Sequence, residues 1–307
     1  MRVTVPSFAK LNLDLRVLSK RADGYHELRT VFQTISLKDS LRIEFDFAKR
    51  TQIDLESTVE IADNLVVRSA RMVLDHLKVK AWVRFALEKQ IPMGAGLGGG
   101  SSNAAAVLMA LPALAGKPAS HAELSSLAGS LGSDVPFFLH GGTALAVGRG
   151  TELYPLPDLP QHHLLVVATG IHVSTSEAYA ALGRNVSTPL TSAHESSILR
   201  EFQAIAWALD SSSLEQLPLK NDFEPVVFRI HPELAAVARK LRRLGANPAM
   251  MTGSGSAIFG IFEHGPEARQ AAAAFRWART FPGRFVNRRR YRTSWRRALG
   301  PAAQLLF

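Results

Sequence analysis

Cysteine is absent from all 307 residues, which excludes disulfide scaffolds, thiolate zinc sites and thiol nucleophiles. Long apolar runs are missing as well. The longest, Ala104 to Ala115, is interrupted by Pro112 and is too short to span a bilayer. Met1 to Lys10 has no apolar core of signal-peptide length. A soluble, cytoplasmic chain without a membrane partner is the expectation from these absences. No His-rich or carboxylate cluster with metal-ligand spacing is visible, so no dedicated protein metal site is expected. Acids are outnumbered, 26 Asp plus Glu against 36 Lys plus Arg, for a formal charge of +10. Seven of the cations are arginines between Arg284 and Arg297, a stretch without one acid. The rest of the chain is therefore nearly balanced, and this segment reads either as a solvated tail or as an anion-binding patch. What remains is ordinary globular material, 47% apolar and 20% charged, sufficient for one large core or two of average size.

Leu11, Leu13, Leu15 and Val17, then Leu41, Ile43, Phe45 and Phe47, alternate with period two and predict antiparallel strands with one buried face. Lys10, Asn12, Asp14 and Arg16 fall on the opposite face of the first strand. An ammonium, an amide and a carboxylate thus sit side by side, although a solvated edge lysine has the same pattern. Asp23-Gly24 marks a turn before Tyr25-His26 and a strand over Leu28 to Leu37. Asp63 reads as the N-cap of a helix carrying Leu65, Val66, Ala70, Val73, Leu74 and Leu77, and alternation returns from Val79 to Leu87. A capping box, Ser120-x-x-Glu123, opens another helix that ends near Gly132. Gly and Pro are dense from Gly148 to His162, which divides the chain into residues 1–155 and 156–307. The second half is expected to open with a strand over Leu164 to Ala168. Mostly helices follow, at Ser176 to Leu182, Ser196 to Leu209 and Pro232 to Leu244, before the apolar run Ala257 to Phe262 and one more helix.

The strongest chemical signal is Pro92-Met93-Gly94-Ala95-Gly96-Leu97-Gly98-Gly99-Gly100-Ser101-Ser102-Asn103, followed at once by the helix-forming Ala104 to Leu108. Five glycines in the seven positions 94 to 100 let the backbone turn sharply and aim several N–H groups into one concavity. Orphan amides and the helix dipole both favour an anion there. A dinucleotide site is disfavoured, because the preceding segment belongs to an alternating, half-exposed sheet and two hydroxyls follow the glycines. A Walker A loop is absent, since no Gly-Lys-Ser/Thr follows. Thr252-Gly253-Ser254-Gly255-Ser256 forms a second loop of small residues ahead of a strand. Asp134 stands at a helix end before the apolar Val135 to Leu139, where it serves equally well as a cap or turn residue.

Taken together, Pro6 to Leu13, Pro92 to Ala105 and Thr252 to Ala257 resemble the three motifs of the GHMP small-molecule kinases. Within that family Arg21 to Leu28, Gly132 to Phe138 and Asn221 to Pro225 are similar to the members that act on a cytidine-diphosphate-linked branched tetritol. The resemblance covers residues 1 to about 262 and leaves the arginine-rich segment unexplained. It implies a two-domain α+β fold, with a ribosomal-protein-like N-terminal domain and a helix-rich α+β C-terminal domain. The implied activity is ATP-dependent phosphorylation of the tetritol's 2-hydroxyl, in the non-mevalonate isoprenoid route. Asp134 would activate the acceptor hydroxyl, Lys10 would stabilise developing charge, and Asn12 would orient the same oxygens. Pro92, Gly94, Gly96, Leu97, Gly98, Gly99, Gly100, Ser101, Ser102 and Asn103 would cradle the nucleotide phosphates, with Asn64 and Leu65 near adenine. Mg2+ would arrive with ATP, with Ser101 or Ser102 as protein contact. Tyr25, His26, Thr175 and Tyr179 would bind the cytidine head, two rings enclosing the pyrimidine and the imidazole reading its edge. Rival readings are a kinase for homoserine, mevalonate or a sugar, and an RNA-binding protein using the arginines. A substrate without a base has no use for the Tyr25-His26 pair. An RNA binder has none for a phosphate loop, so no nucleic-acid partner is expected.

Overall fold

A computed structural model describes residues 1–183, 200, 214 and 217–305. The helix expected over Ser196 to Leu209 lies outside the described residues. Two sheets organise the rest. The first has six strands: β1 (Arg2–Lys20), β2 (His26–Phe47), β3 (Gln52–Ser57), β4 (Ala81–Glu88), β5 (Thr143–Val147) and β6 (Glu152–Pro155). They run in the order β3-β4-β2-β5-β6, with β1 paired to β2. The two strands expected over Leu28 to Leu37 and Leu41 to Phe47 are one continuous β2, which pairs with β1 along its length, with β5 near its start and with β4 at its end. The second sheet is antiparallel, β10-β7-β9-β8, built from β7 (His163–Ala168), β8 (Ala249–Met251), β9 (Ile258–Phe262) and β10 (Arg279–Arg284). The C-terminal half is therefore less purely helical than expected. β8 is only three residues long, and β10 carries Pro282-Gly283, so neither shows a strand period.

Helix α1 (Leu65–Leu77) is capped one residue later than expected. Asp63 takes a left-handed φ of 48°, and the Asn64 Oδ1 accepts from the Val66 amide at 3.0 Å. Helix α2 (Gly99–Leu114) is apolar all round and buried from Ser102 onward, a core helix against the first sheet. Helix α3 (His121–Leu131) has the reciprocal Ser120/Glu123 capping box and stops at Gly132, as the sequence predicts. The one-turn helix α4 (Phe137–His140) follows Asp134.

Burial corrects two expectations. β1 was expected to bury one face, yet Lys10, Asn12, Asp14 and Arg16 are all buried as well. The reason is the second half of the molecule, which covers the polar face. The Leu15 amide donates to Lys220 O at 2.8 Å, and the Lys220 amide donates to the Asp14 carboxylate at 2.7 Å. Desolvation raises the Asp14 pKa, opposed by the adjacent Arg16 guanidinium. The arginine-rich segment is not a solvated tail. It forms a helix, Arg288–Leu299, whose Tyr291, Trp295 and Leu299 recur every fourth residue and enter the core of the first sheet and α2. Arg289, Arg290, Arg292, Arg296 and Arg297 remain on the outer side. No helix among the described residues is long and apolar enough to cross a membrane.

Candidate active site

Lys10 and Asp134, 124 positions apart in sequence, meet at 3.3 Å between Nζ and Oδ2. The lysine is buried at 4% side-chain exposure, whereas the carboxylate keeps 34% toward the cleft. Lys10 also donates to Asn12 Oδ1 at 2.6 Å. Asn12 in turn donates through Nδ2 to the Thr30 hydroxyl at 2.7 Å, and its amide donates to the Thr252 hydroxyl at 3.0 Å. Register shifts in the β1–β2 pair fall between Phe8 and Lys10 and between Asn12 and Asp14. Such bulges re-aim side chains that a regular strand would send away from a common point.

Gly96 and Gly98 explain why the adjoining loop consists of glycine. Gly96 has φ +76°, and a Cβ there would lie 2.2 Å from the Thr252 carbonyl oxygen. Gly98 has φ +70°, and its Cβ would meet the Phe138 ring at 2.9 Å and Lys10 Cγ at 3.1 Å. The loop is tied down by Lys10 N to Leu97 O at 3.0 Å and by Ala257 N to Ala95 O at 3.1 Å. Gly98 also caps α2 without any side-chain hydrogen bond, and no acid occupies the first turn. The first amides of the helix therefore have no partner within it and suit an anion.

A cleft of about 930 Å³ receives Lys10, Asn12, Gly94, Gly96, Gly98 and Asp134 together with Tyr25, His26, Thr175 and Tyr179. Among the described residues Asp134 is the single carboxylate of its lining, against Lys10, Lys20 and Arg149. That balance favours a multiply anionic ligand. His26 stacks on Tyr179 with ring centroids 4.3 Å apart and planes 20° apart, and Tyr179 stands edge-on to Phe223. Burial, assisted by the Asp134 charge, pushes the Tyr179 hydroxyl up to about 12, so the phenol stays a neutral donor. Burial, assisted by Lys20, holds the His26 imidazole below its ordinary range. Tyr25 is half exposed, with the Arg149 guanidinium 5.0 Å from its ring centroid. At 4.3 Å the His26–Tyr179 pair has no room for a base between its rings, whereas Tyr25 lines the same cleft and is paired with no other ring among the described residues. Thr175 pairs with Ser254 across the mouth, hydroxyl to hydroxyl at 2.9 Å.

Not every candidate from the sequence lines that cleft. Asn103 is buried, donating to Asp39 Oδ2 at 3.0 Å and accepting from Lys89 Nζ at 3.1 Å. Asp39 additionally accepts from the Gln90 and Ile91 amides at 2.7 and 2.8 Å, so one carboxylate fastens the chain on both sides of the glycine loop. Ser102 is buried and Ser101 half-buried. Leu65 lies beside Gly100, where a Cβ would be 3.7 Å from Leu65 Cδ1. Asn64 borders a separate concavity of about 700 Å³, with Asp63, Arg68 and Arg71. Leu97 is buried and Pro92 half-buried, and a Cβ at Gly99 would meet Ile91 Cγ2 at 2.9 Å. The sequence reading quoted Thr252 as part of a loop motif without a role of its own, and it missed Arg149, Lys20, Asp39 and Lys89. Of these only Lys20 had a local signal, since the Asp23-Gly24 turn places it opposite His26 in the hairpin.

Among the described residues no group of three or more His, Cys, Asp or Glu side chains could hold a metal ion. A phosphate-borne Mg2+ needs no such cluster, and the half-buried Ser101 hydroxyl in the first turn of α2 suits one protein contact.

Residues 64–142 match the family model described as GHMP kinases N terminal domain, and residues 198–278 match GHMP kinases C terminal. A 4-diphosphocytidyl-2-C-methyl-D-erythritol kinase of Solibacter usitatus is 52% identical over 95% of this chain and 92% of its own length. A kinase of the same description from Moorella thermoacetica is 38% identical over 93% of this chain and 98% of its own. A solved 4-(cytidine 5'-diphospho)-2C-methyl-D-erythritol kinase superposes with a TM-score of 0.76 at 39% identity, covering 94% of this chain and all of that one. Homoserine kinase from Cytophaga hutchinsonii, at 18% identity and a TM-score of 0.69, shares the fold.

Proposed function

The chain belongs to the GHMP kinases, a phosphotransferase family, and from that premise we propose that it transfers the γ-phosphoryl group of ATP to the 2-hydroxyl of 4-diphosphocytidyl-2-C-methyl-D-erythritol. The product feeds the non-mevalonate route to isoprenoid precursors, and the proposed location is the cytoplasm, which supplies ATP. The observation that carries the reading is the joint lining of one cleft. It unites an uncapped glycine loop and the Lys10–Asp134 pair with the Tyr25, His26 and Tyr179 rings.

Phosphoryl transfer asks a protein for positioning and charge neutralisation more than for covalent chemistry. The loop amides of Gly98 to Ser101 bind the nucleotide phosphates at the positive end of α2. Asp134, the single acid among the described residues of the lining, accepts the proton of the acceptor hydroxyl as that oxygen attacks phosphorus. Lys10, held by Asn12 and in contact with Asp134, stays put while charge grows on the transferred group, so its stabilisation needs no reorganisation. Mg2+ bound with ATP would supply charge neutralisation, and Ser101 is the residue that would contact it. Tyr25 provides a face for cytosine, and the His26–Tyr179 stack provides the neighbouring wall. Because His26 is held neutral, its ring can read a pyrimidine edge through one donor and one acceptor. Lys20 and Arg149 balance the diphosphate.

The test is an acceptor panel: ATP with the cytidine-diphosphate tetritol, homoserine or mevalonate. Transfer to the first alone supports the reading. Transfer to homoserine or mevalonate and none to the first overturns it.

A further inference from the structure

The arginine-rich helix Arg288–Leu299 sends one residue toward the reaction centre from behind. Tyr291 is 1% exposed, and its hydroxyl donates to the carbonyl of Phe138. That carbonyl belongs to α4, a single turn of helix in which Phe137 O accepts from the Gly141 amide and the carbonyls after it need partners from outside the turn. A lone turn is not stable alone. The Tyr291 ring closes the same turn from beneath, since a Cβ at Gly141 would lie 2.4 Å from its Cγ. Asp134 stands three residues before α4, and the Phe138 ring flanks Gly98 beside Lys10. On its other side Tyr291 packs against Phe8, ring centroids 5.4 Å apart, two residues before Lys10 on β1. One buried tyrosine thus touches both the turn that carries the acid and the strand that carries the lysine.

We propose that Tyr291 is a positioning residue for phosphoryl transfer: through its hydroxyl on Phe138 and its ring on Phe8 and Gly141 it holds Asp134 and Lys10 in their mutual geometry. This gives the C-terminal helix a role in the site. Burial keeps the Tyr291 pKa raised, so the hydroxyl remains a donor across the working pH range. The inference rests on the kinase reading only for its kinetic arm.

The experiment compares Tyr291→Phe with Leu299→Ala in the full chain. Leu299 is buried on the same helix two turns later and serves as the control for general loss of stability. Tyr291→Phe keeps the ring and removes only the hydroxyl. Its kcat is expected to fall about tenfold, with KM for ATP and for the acceptor within about twofold. Amide hydrogen exchange is expected to accelerate over residues 133–141 before other protected segments. Leu299→Ala should lower the melting temperature, leave kcat near wild type and show no such local exchange. Unchanged kcat in Tyr291→Phe, a loss carried by KM, or equal kcat losses in both variants would overturn the proposal. Should the wild-type enzyme transfer nothing to the tetritol, the exchange arm still decides, and faster exchange spread evenly over the chain would then refute it.

Discussion

Replacing Gly96 by alanine perturbs the site at its tightest point. The new Cβ would stand 2.2 Å from the Thr252 carbonyl oxygen and 3.2 Å from that of Gly255, whereas an ordinary carbon–oxygen contact needs about 3.3 Å or more. Both obstacles are backbone, so neither can rotate away, and the two loops must separate by roughly 1 Å. Gly96 also sits at φ +76°, a conformation that costs an alanine about 1–2 kcal/mol. Overpacking adds about 1–3 kcal/mol, so the total loss is about 2–5 kcal/mol, readable by chemical denaturation. Separation stretches the Thr252 Oγ1 to Gly96 O contact of 3.2 Å and the Ala257 N to Ala95 O bond. Displacement of that size should lower kcat/KM for ATP by about 10- to 100-fold. Gly129→Ala is the matched control. It lies inside α3 with nothing within 4 Å of its Cβ position, and the change should stabilise by about 0.5–1 kcal/mol without kinetic effect. A Gly96→Ala enzyme of wild-type stability and wild-type ATP KM would refute the argument that steric closeness dictates this loop.

Asp134→Asn should lower kcat by at least about 100-fold while calorimetric ATP affinity stays within about twofold; near-wild-type turnover would remove the carboxylate from the chemistry. Truncating Tyr25 should weaken the acceptor by about 1–3 kcal/mol for the lost stack and leave ATP binding alone, whereas truncating Tyr179 should act through the His26 ring that it supports. His26→Ala should relax discrimination between cytidine and uridine heads, and equal losses for ATP and acceptor would sink the cytosine reading. Burial, with His121, Arg288 and Arg292 nearby, lowers His140 to about 4 from 6.5. The folded state therefore resists a proton that the unfolded chain accepts, and stability is lost as pH falls from 6.5 toward about 4 and is unaffected above 6.5. His140→Gln should flatten denaturation midpoints across that window, and an unchanged slope would contradict the assignment.

Local chemistry was legible in the sequence wherever one short segment decides the outcome. The Ser120/Glu123 box, the Gly132 stop and the glycine loop before α2 each depend on neighbours within a few residues. Lys10 and Asn12 share a face because side chains two apart do so in any strand. Their partner Asp134 was reached through family resemblance, since nothing in the spacing ties residues 124 apart. The burial of Asp14 and Arg16 depends on the 217–222 segment crossing over β1, a tertiary event without local trace. Asp39 falls between the two strands expected from periodicity and carries no local signal, yet it binds both sides of the loop. Tyr291, Trp295 and Leu299 had the spacing of a buried stripe. Seven arginines around them gave that segment the composition of a solvated tail, and composition outweighed period in the reading. Asn64 rather than Asp63 caps α1 because the aspartate is spent on a left-handed turn.

The most direct measurement of the central claim is proton-coupled phosphorus NMR of the product formed from ATP and the cytidine-diphosphate tetritol by wild-type enzyme. The 2-carbon carries a methyl group and no hydrogen, so a phosphate ester at the 2-hydroxyl has no three-bond proton coupling. A new monoester singlet, absent with Asp134→Asn, is the predicted result. A monoester split by coupling to carbinol protons, or the same singlet from the Asp134→Asn enzyme at wild-type rate, would contradict the account.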